Sequence, residues 1–262
     1  MIDLKTQLNP SQYAAVTTLD GPIVVIAGAG SGKTRVIEYR VLYLVQNKIN
    51  PNSILLLTFT RRAAKTMLDR AARHDPRCKN VEGGTFHSFA YKMLKRYAQV
   101  IGFPESFSIL DEGDAEEAIH SCCNMLGFFS REKRFPKKDT LKGIISMSIN
   151  KNISIGDVLK KEYPHFLEYS SDIENLRKKY TEYKINKNYL DYDDLLVYLR
   201  LLLENEDIKN RLSQKYQYIM VDEYQDTNTL QGDITYLLAE KHRNVMVVGD
   251  DAQSIYGFRG AS

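Results

Sequence analysis

The stretch Ile23-Val24-Val25-Ile26-Ala27-Gly28-Ala29-Gly30-Ser31-Gly32-Lys33-Thr34-Arg35 decides how this chain folds. Ile23 to Ile26 form an apolar run, and a helix-like stretch over 33–46 follows the glycines. Strand, glycine loop, helix is the context in which a glycine-rich segment cradles phosphate. The glycines let successive backbone N–H groups converge on phosphate oxygens, and the helix presents its positive end. Lys33 places a point charge on the outer phosphates, and the Thr34 hydroxyl is a ligand for magnesium. The general pattern has Gly where this chain has Ala27, a departure of one Cβ. The loop from Ala27 to Arg35 is therefore the expected cofactor-binding segment for a nucleoside triphosphate.

A second segment completes the first. Tyr218-Ile219-Met220-Val221 is another apolar run, and Asp222-Glu223 follows at its end. A lone acidic pair is usually a solvated turn. At the carboxyl end of a strand in an open parallel sheet it lies where ligands gather. Asp222 is expected to hold Mg2+ with Thr34, and Glu223 to polarise an attacking water.

The alternation of elements gives the fold class. Strand 22–27, helix 33–46, the run Ile54-Leu55-Leu56-Leu57-Thr58-Phe59, a helix to about 73, an extended piece at 82–85 and a helix over 86–99 predict an α/β domain with a parallel sheet. The β pattern returns at 217–222 and 244–250. Between about 109 and 188 the sequence is helical in character, with almost no β signal. The stretch 164–188 reads as one long helix with Phe166, Leu167, Ile173, Leu176 and Tyr180 on its apolar side. This segment is expected to be an inserted all-helical subdomain.

Composition sets bounds. The 262 residues suffice for one large domain or two smaller ones, and 43% apolar with 26% charged residues is ordinary for a globular protein. No apolar run is long enough to span a bilayer, and the N-terminus lacks the apolar core of a signal peptide. A cytoplasmic protein is expected. Cys78, Cys122 and Cys123 have no metal-ligand spacing. Net charge is +3, but 14 Lys+Arg against 8 Asp+Glu between Arg131 and Asn188 give that block +6 and leave −3 elsewhere. A basic block suits a polyanionic partner, although solvated helix faces look similar.

Six further segments occur in order: Leu8-Asn9-Pro10-Ser11-Gln12, Thr58-Phe59-Thr60-Arg61-Arg62, Gly84-Thr85-Phe86-His87-Ser88, Leu190-Asp191-Tyr192-Asp193-Asp194-Leu195-Leu196, Val221-Asp222-Glu223-Tyr224-Gln225-Asp226 and Gly249-Asp250-Asp251-Ala252-Gln253-Ser254-Ile255-Tyr256-Gly257-Phe258-Arg259-Gly260. As a set, this resembles the N-terminal half of superfamily 1 DNA helicases of the UvrD/Rep/PcrA type, over the whole chain. The resemblance implies a RecA-like P-loop domain at 1–108 and 189–262, with the helical insertion at 109–188. It implies ATP and Mg2+ as cofactors, and single-stranded and partly duplex DNA as partners, in a cytoplasmic, nucleoid-associated protein.

Roles follow by resemblance. Gln12 reads the adenine edge. Lys33, Asp222, Glu223 and Gln253 are catalytic, with Gln253 at the γ-phosphate or the attacking water. Phe59, Arg61, Thr85, Phe86, His87, Tyr256, Phe258 and Arg259 face DNA. Aromatic rings stack on any base, and cations neutralise phosphates. Taken singly, Phe59 and Phe86 fit a protein core better than a DNA surface. Arg61-Arg62 stands where Asn-Lys is frequent in the family, and Phe258 where Trp is common. The family continues into a second RecA-like domain with arginine fingers, and this chain stops at Ser262. Weak nucleotide binding, slow hydrolysis and no unwinding are the expectations for the chain alone. The rivals are a helicase–nuclease, an RNA-directed enzyme, and a non-catalytic single-strand-binding module that senses nucleotide.

Overall fold

Five parallel strands form the central sheet, and four of them are apolar runs. A computed structural model describes residues 2–28, 32–104, 106–130 and 134–250. The sheet is formed by β1 (Ile23–Ile26), β2 (Ile54–Thr58), β3 (Glu82–Thr85), β6 (Tyr218–Val221) and β7 (Val245–Gly249), in the order β1-β7-β6-β2-β3. Every residue of β2, β6 and β7 is buried. Continuous apolar runs are what a strand covered on both faces requires. The register sets Ile26 beside Gly249, Val247 beside Val221, and Val221 beside Leu57. The loops after β1, β6 and β7 therefore leave the same end of three adjacent strands. The architecture is a RecA-like α/β domain.

The helices are α1 (Leu4–Gln7), α2 (Pro10–Thr17), α3 (Gly32–Gln46), α4 (Arg61–His74), α5 (Phe86–Tyr97), α6 (Glu112–Met125), α7 (Lys138–Lys151), α8 (Ile155–Glu162), α9 (Ser170–Lys187), α10 (Tyr192–Glu204), α11 (Glu206–Lys215) and α12 (Thr229–Ala239). Asn9 starts α2 through a reciprocal capping box with Gln12. In α3, Val36, Ile37, Val41, Leu42, Leu44 and Val45 join one core with β2 residues Ile54 and Leu56. Gly83 in β3 lies against α4, where an added Cβ would come within 2.7 Å of Leu68 Cδ1.

The chain divides into two compact units. One comprises the residues up to Met93, Leu199–Thr227 and those from Gln231 onward; the other comprises Leu94–Tyr198 with Asn228–Leu230. These bounds fall inside α5 and α10, outside the 109–188 segment read from the sequence. The second unit has its own core, built from α6 to α9, with Ile119, Cys122, Ile144, Val158, Ile173 and Leu176 buried.

Two expectations for 109–188 are corrected. The stretch 164–188 is not one helix: Pro164–Tyr169 is a 3-10 turn, and α9 begins at Ser170. Tyr169 is buried with its ring against Phe135 and Phe166, while Leu167 is 41% exposed instead of facing a core. The segment also touches a β element, because Ser108–Ile109 (β4) pairs in parallel with Tyr189–Leu190 (β5) at its two ends. Two-residue strands are too short to leave a periodic signal.

Candidate active site

Lys33 begins the site. It lies in the first turn of α3, is buried, and points its ammonium at two carboxylates. Its Nζ is 3.2 Å from Glu223 Oε2 and 3.4 Å from Asp250 Oδ2. Burial works against the charge of Lys33, and the two acids outweigh it, so the pKa is raised. The α3, β6 and β7 ends are thereby joined by one cation.

Asp222 sits beside this group in a different condition. It is 5% exposed, and among the described residues its buried Oδ1 has no hydrogen-bond partner. Burial, then the neighbouring Glu223 charge, push its pKa up to about 6. A buried carboxylate oxygen with no donor is short of a cation. Glu223 follows with φ 50° and ψ 44°, the left-handed region, where a non-glycine residue is strained. That turn directs successive acids differently: Asp222 inward, and Glu223 to a side chain 37% exposed beside Lys33.

Gln225 holds Glu223 in place. Its Nε2 donates to Glu223 Oε2 at 2.5 Å, and its Oε1 accepts from the Asp250 backbone N–H at 3.2 Å. Gln225 and Asp250 were not among the residues expected from the sequence. Both lie in the quoted acidic segments, and an amide two positions after the acid pair was the available signal.

A cleft of about 490 Å³ is lined by Asn9, Gln12, Ala15, Val24, Ala27, Gly28 and Gly32 among others. Gln12 is fixed there. Its Oε1 accepts from the Asn9 N–H at 3.1 Å, and a Cβ on Gly32 would come within 3.1 Å of its Nε2. The carbonyl is thus occupied by the cap, and the amide nitrogen is the group toward the loop. The Ala27 N–H donates to the Gly249 carbonyl at 2.9 Å, so it continues the sheet ladder. Thr34 is half-buried, and exposed Arg35 donates from Nη1 to the Gln7 carbonyl at 3.3 Å, tying α3 to α1. Ala29, Gly30 and Ser31 lie outside the described residues, as does Gln253.

The residues expected to face DNA divide. Phe59 is 38% exposed and Arg61 is exposed, one before and one after Thr60, which caps α4 by accepting from the Ala63 N–H at 3.1 Å. Phe86 is a correction: it is 1% exposed, so its ring belongs to the core and offers no face to a base. Thr85 uses its hydroxyl to cap α5, accepting from the Ser88 N–H at 3.0 Å, while Ser88 Oγ accepts from the Thr85 N–H at 3.0 Å. His87 is half-buried in the first turn of α5. Tyr256, Phe258 and Arg259 lie outside the described residues. Among those described, no group of three or more His, Cys, Asp or Glu is placed to hold a metal ion, and no helix is long and apolar enough to cross a membrane.

A strand, a phosphate loop with its lysine, and an acidic pair on the next strand but one define a RecA-like P-loop nucleotide-binding domain. The profile of the UvrD/REP helicase N-terminal domain matches residues 8–262, and the chain belongs to that family. Among curated relatives, the ATP-dependent DNA helicase PcrA of Bacillus subtilis (strain 168) is 38% identical over 267 residues, covering 98% of this chain and 34% of the relative. The protein of the same name from Leuconostoc citreum is 35% identical over 266 residues, 99% of this chain and 34% of its own length. That of Staphylococcus epidermidis (strain ATCC 12228 / FDA PCI 1200) is 37% identical over 261 residues, 98% and 35%. The chain spans about a third of the length of these relatives.

Proposed function

We propose that this chain is the ATP-binding lobe of an ATP-dependent DNA helicase that moves along single-stranded DNA, 3′→5′, and unwinds duplex. The observation that carries the reading is the cluster at the strand ends: Lys33 paired to Glu223, beside the partnerless Asp222 oxygen. A binding module has no use for a strained, water-facing acid held by an amide. The relatives named as ATP-dependent DNA helicases support the same reading.

The donor set fits magnesium. The Thr34 hydroxyl and the Asp222 carboxylate are hard oxygen ligands, and among the described residues Asp222 Oδ1 has no other partner. When bound, the ion neutralises charge on the β- and γ-phosphate oxygens. The chain's own residues do the rest. The base enters the cleft beside Gln12, whose Nε2 donates to it. The segment from Ala27 to Arg35 binds the phosphates, with backbone N–H groups as the donors. Lys33 exchanges its carboxylate partners for phosphate oxygens. Glu223, released from Lys33 and still held by Gln225, accepts a proton from the attacking water. Gln253 senses the γ-phosphate, and the segment through Tyr256, Phe258 and Arg259 relays that state to the strand held by Phe59 and Arg61. His87 and Thr85 complete the strand contact. Residues 1–108 and 189–262 act as the RecA-like domain, with 109–188 as its insertion. A second lobe supplies arginine fingers to this site; such a finger is worth roughly 10³–10⁵ in turnover.

Fluorescent oligothymidine binding across a salt series, with and without a non-hydrolysable ATP analogue and magnesium, tests the reading. Salt-dependent binding that shifts with nucleotide is the expected result. Nucleotide binding with no response of the DNA affinity would remove the relay from the account.

A further inference from the structure

The helical unit carries a groove of about 840 Å³ between the start of α7 and the Pro164–Tyr169 turn. Its walls are aromatic. The Phe135 and Tyr169 ring centroids are 5.3 Å apart, Phe166 and Tyr169 6.3 Å, and His165 and Phe166 4.0 Å. Tyr169 is buried, Phe135 and Phe166 are half-buried, and His165 is exposed. Ring surface therefore remains open to the groove. Arg134 and Lys137 line it too, both exposed, and neither enters an ion pair among the described residues. Among the described residues, Glu168 is the single acid of the lining. The cations lie within the Arg131–Asn188 block that carries a net +6.

Open π surface beside unneutralised cations is the pattern that holds single-stranded nucleic acid, with bases on the rings and phosphates on the cations. An apolar peptide would cover the rings and leave Arg134 and Lys137 without counter-charges. The volume lies within the roughly 300–1,000 Å³ of pockets that enclose a small ligand, enough for a base with its flanking phosphates. We infer that this groove is a second single-strand-binding site, separate in its residues from the Phe59–Arg61 contact. It rests on the proposed function only in taking DNA as the ligand.

The test is oligothymidine binding to the full chain in four forms: unaltered, Arg134→Ala/Lys137→Ala, Phe59→Ala/Arg61→Ala, and all four substitutions together. These side chains are exposed at the surface or, for Phe59, 38% exposed, so folding is retained. In the Phe59→Ala/Arg61→Ala background, binding persists. Adding Arg134→Ala/Lys137→Ala then lowers the slope of log K against log salt by about 1.4, two contacts at 0.7 each. In a fifth form, Phe166→Ala in the same background weakens binding about tenfold. Nucleotide-analogue affinity is unchanged in Arg134→Ala/Lys137→Ala. Loss of all binding in Phe59→Ala/Arg61→Ala would overturn the groove and leave the first contact standing. A response to Arg134→Ala/Lys137→Ala with none to Phe59→Ala/Arg61→Ala would support the groove and overturn the first contact. No binding of oligothymidine by the unaltered chain would overturn both.

Discussion

Glu223 and Gln225 set the chemistry at the scale of single residues. A left-handed backbone turns Glu223 out beside Lys33, and one amide fixes it. Glu223→Gln keeps the size and removes the base. Single-turnover hydrolysis is expected to fall by about 10²–10⁴-fold, with nucleotide affinity within about threefold of the original. Equal losses in both would make Glu223 a binding residue. A second residue-scale prediction concerns His242. Its Nε2 lies 2.8 Å from the Tyr216 carbonyl, and its Nδ1 accepts from the Asn244 N–H at 3.0 Å. The ring is thus neutral with its proton on Nε2. Burial lowers the pKa below the usual 6.5, against the pull of the Tyr216 carbonyl. A lowered histidine pKa means the unfolded chain takes up the proton first, so stability is full above pH 6.5 and declines as pH falls through the folded value. The melting temperature of the unaltered protein is expected to drop more between pH 7.5 and 5.5 than that of His242→Ala, measured by circular dichroism. Parallel curves would contradict this.

At the scale of elements, α2 and α3 are joined by one side chain. Arg40 is 3% exposed and donates to the carbonyls of Val16 at 2.9 Å, Leu19 at 3.1 Å and Thr18. It thereby satisfies the carbonyl end of α2 and the turn into β1. Arg40→Met leaves those oxygens buried without donors, and a loss of about 3 kcal/mol is expected in urea unfolding. A change under 1 kcal/mol would show that water replaces the guanidinium. The strands and helices of this unit were legible in the sequence because continuous apolar runs and capped amphipathic stretches encode them locally. Lys33, Asp222 and Glu223 were legible because loop and acid pair each follow such a run. Arg40 was not, since its carbonyl partners lie 21 to 24 positions away and are set by tertiary approach and not by spacing. Phe86 illustrates the reverse: it stands inside a recognisable segment, but its position at the start of α5 turns it into the core. The 3-10 turn at 164–169 escaped because its apolar residues mimic a helical stripe.

At the scale of the molecule, each compact unit has its own means of stability. The helical unit buries an ionic network in addition to its apolar core. Lys142 Nζ is 2.9 Å from Asp193 Oδ2, and Lys184 Nζ is 3.1 Å from Asp191 and 2.7 Å from Asp194, with Tyr180 donating to Asp191 at 2.7 Å. The segment Asp191-Tyr192-Asp193-Asp194 stood out in the sequence without an assigned role, because the lysine facing Asp193 is 51 positions away. Asp193→Ala leaves the Lys142 charge buried without its closest acid. A cost of about 3–5 kcal/mol is expected, read as earlier urea unfolding, while nucleotide affinity is preserved because every site residue belongs to the other unit. Loss of nucleotide binding under native conditions would tie the network to the site. The central claim is that Lys33, Asp222 and Glu223 form a magnesium-nucleotide site, and calorimetric titration of the chain with a non-hydrolysable ATP analogue addresses it most directly. Binding that weakens at least tenfold when magnesium is removed, weakens similarly in Asp222→Asn, and disappears in Lys33→Met is the predicted result. Equal affinity in all three proteins, with or without magnesium, would contradict the account.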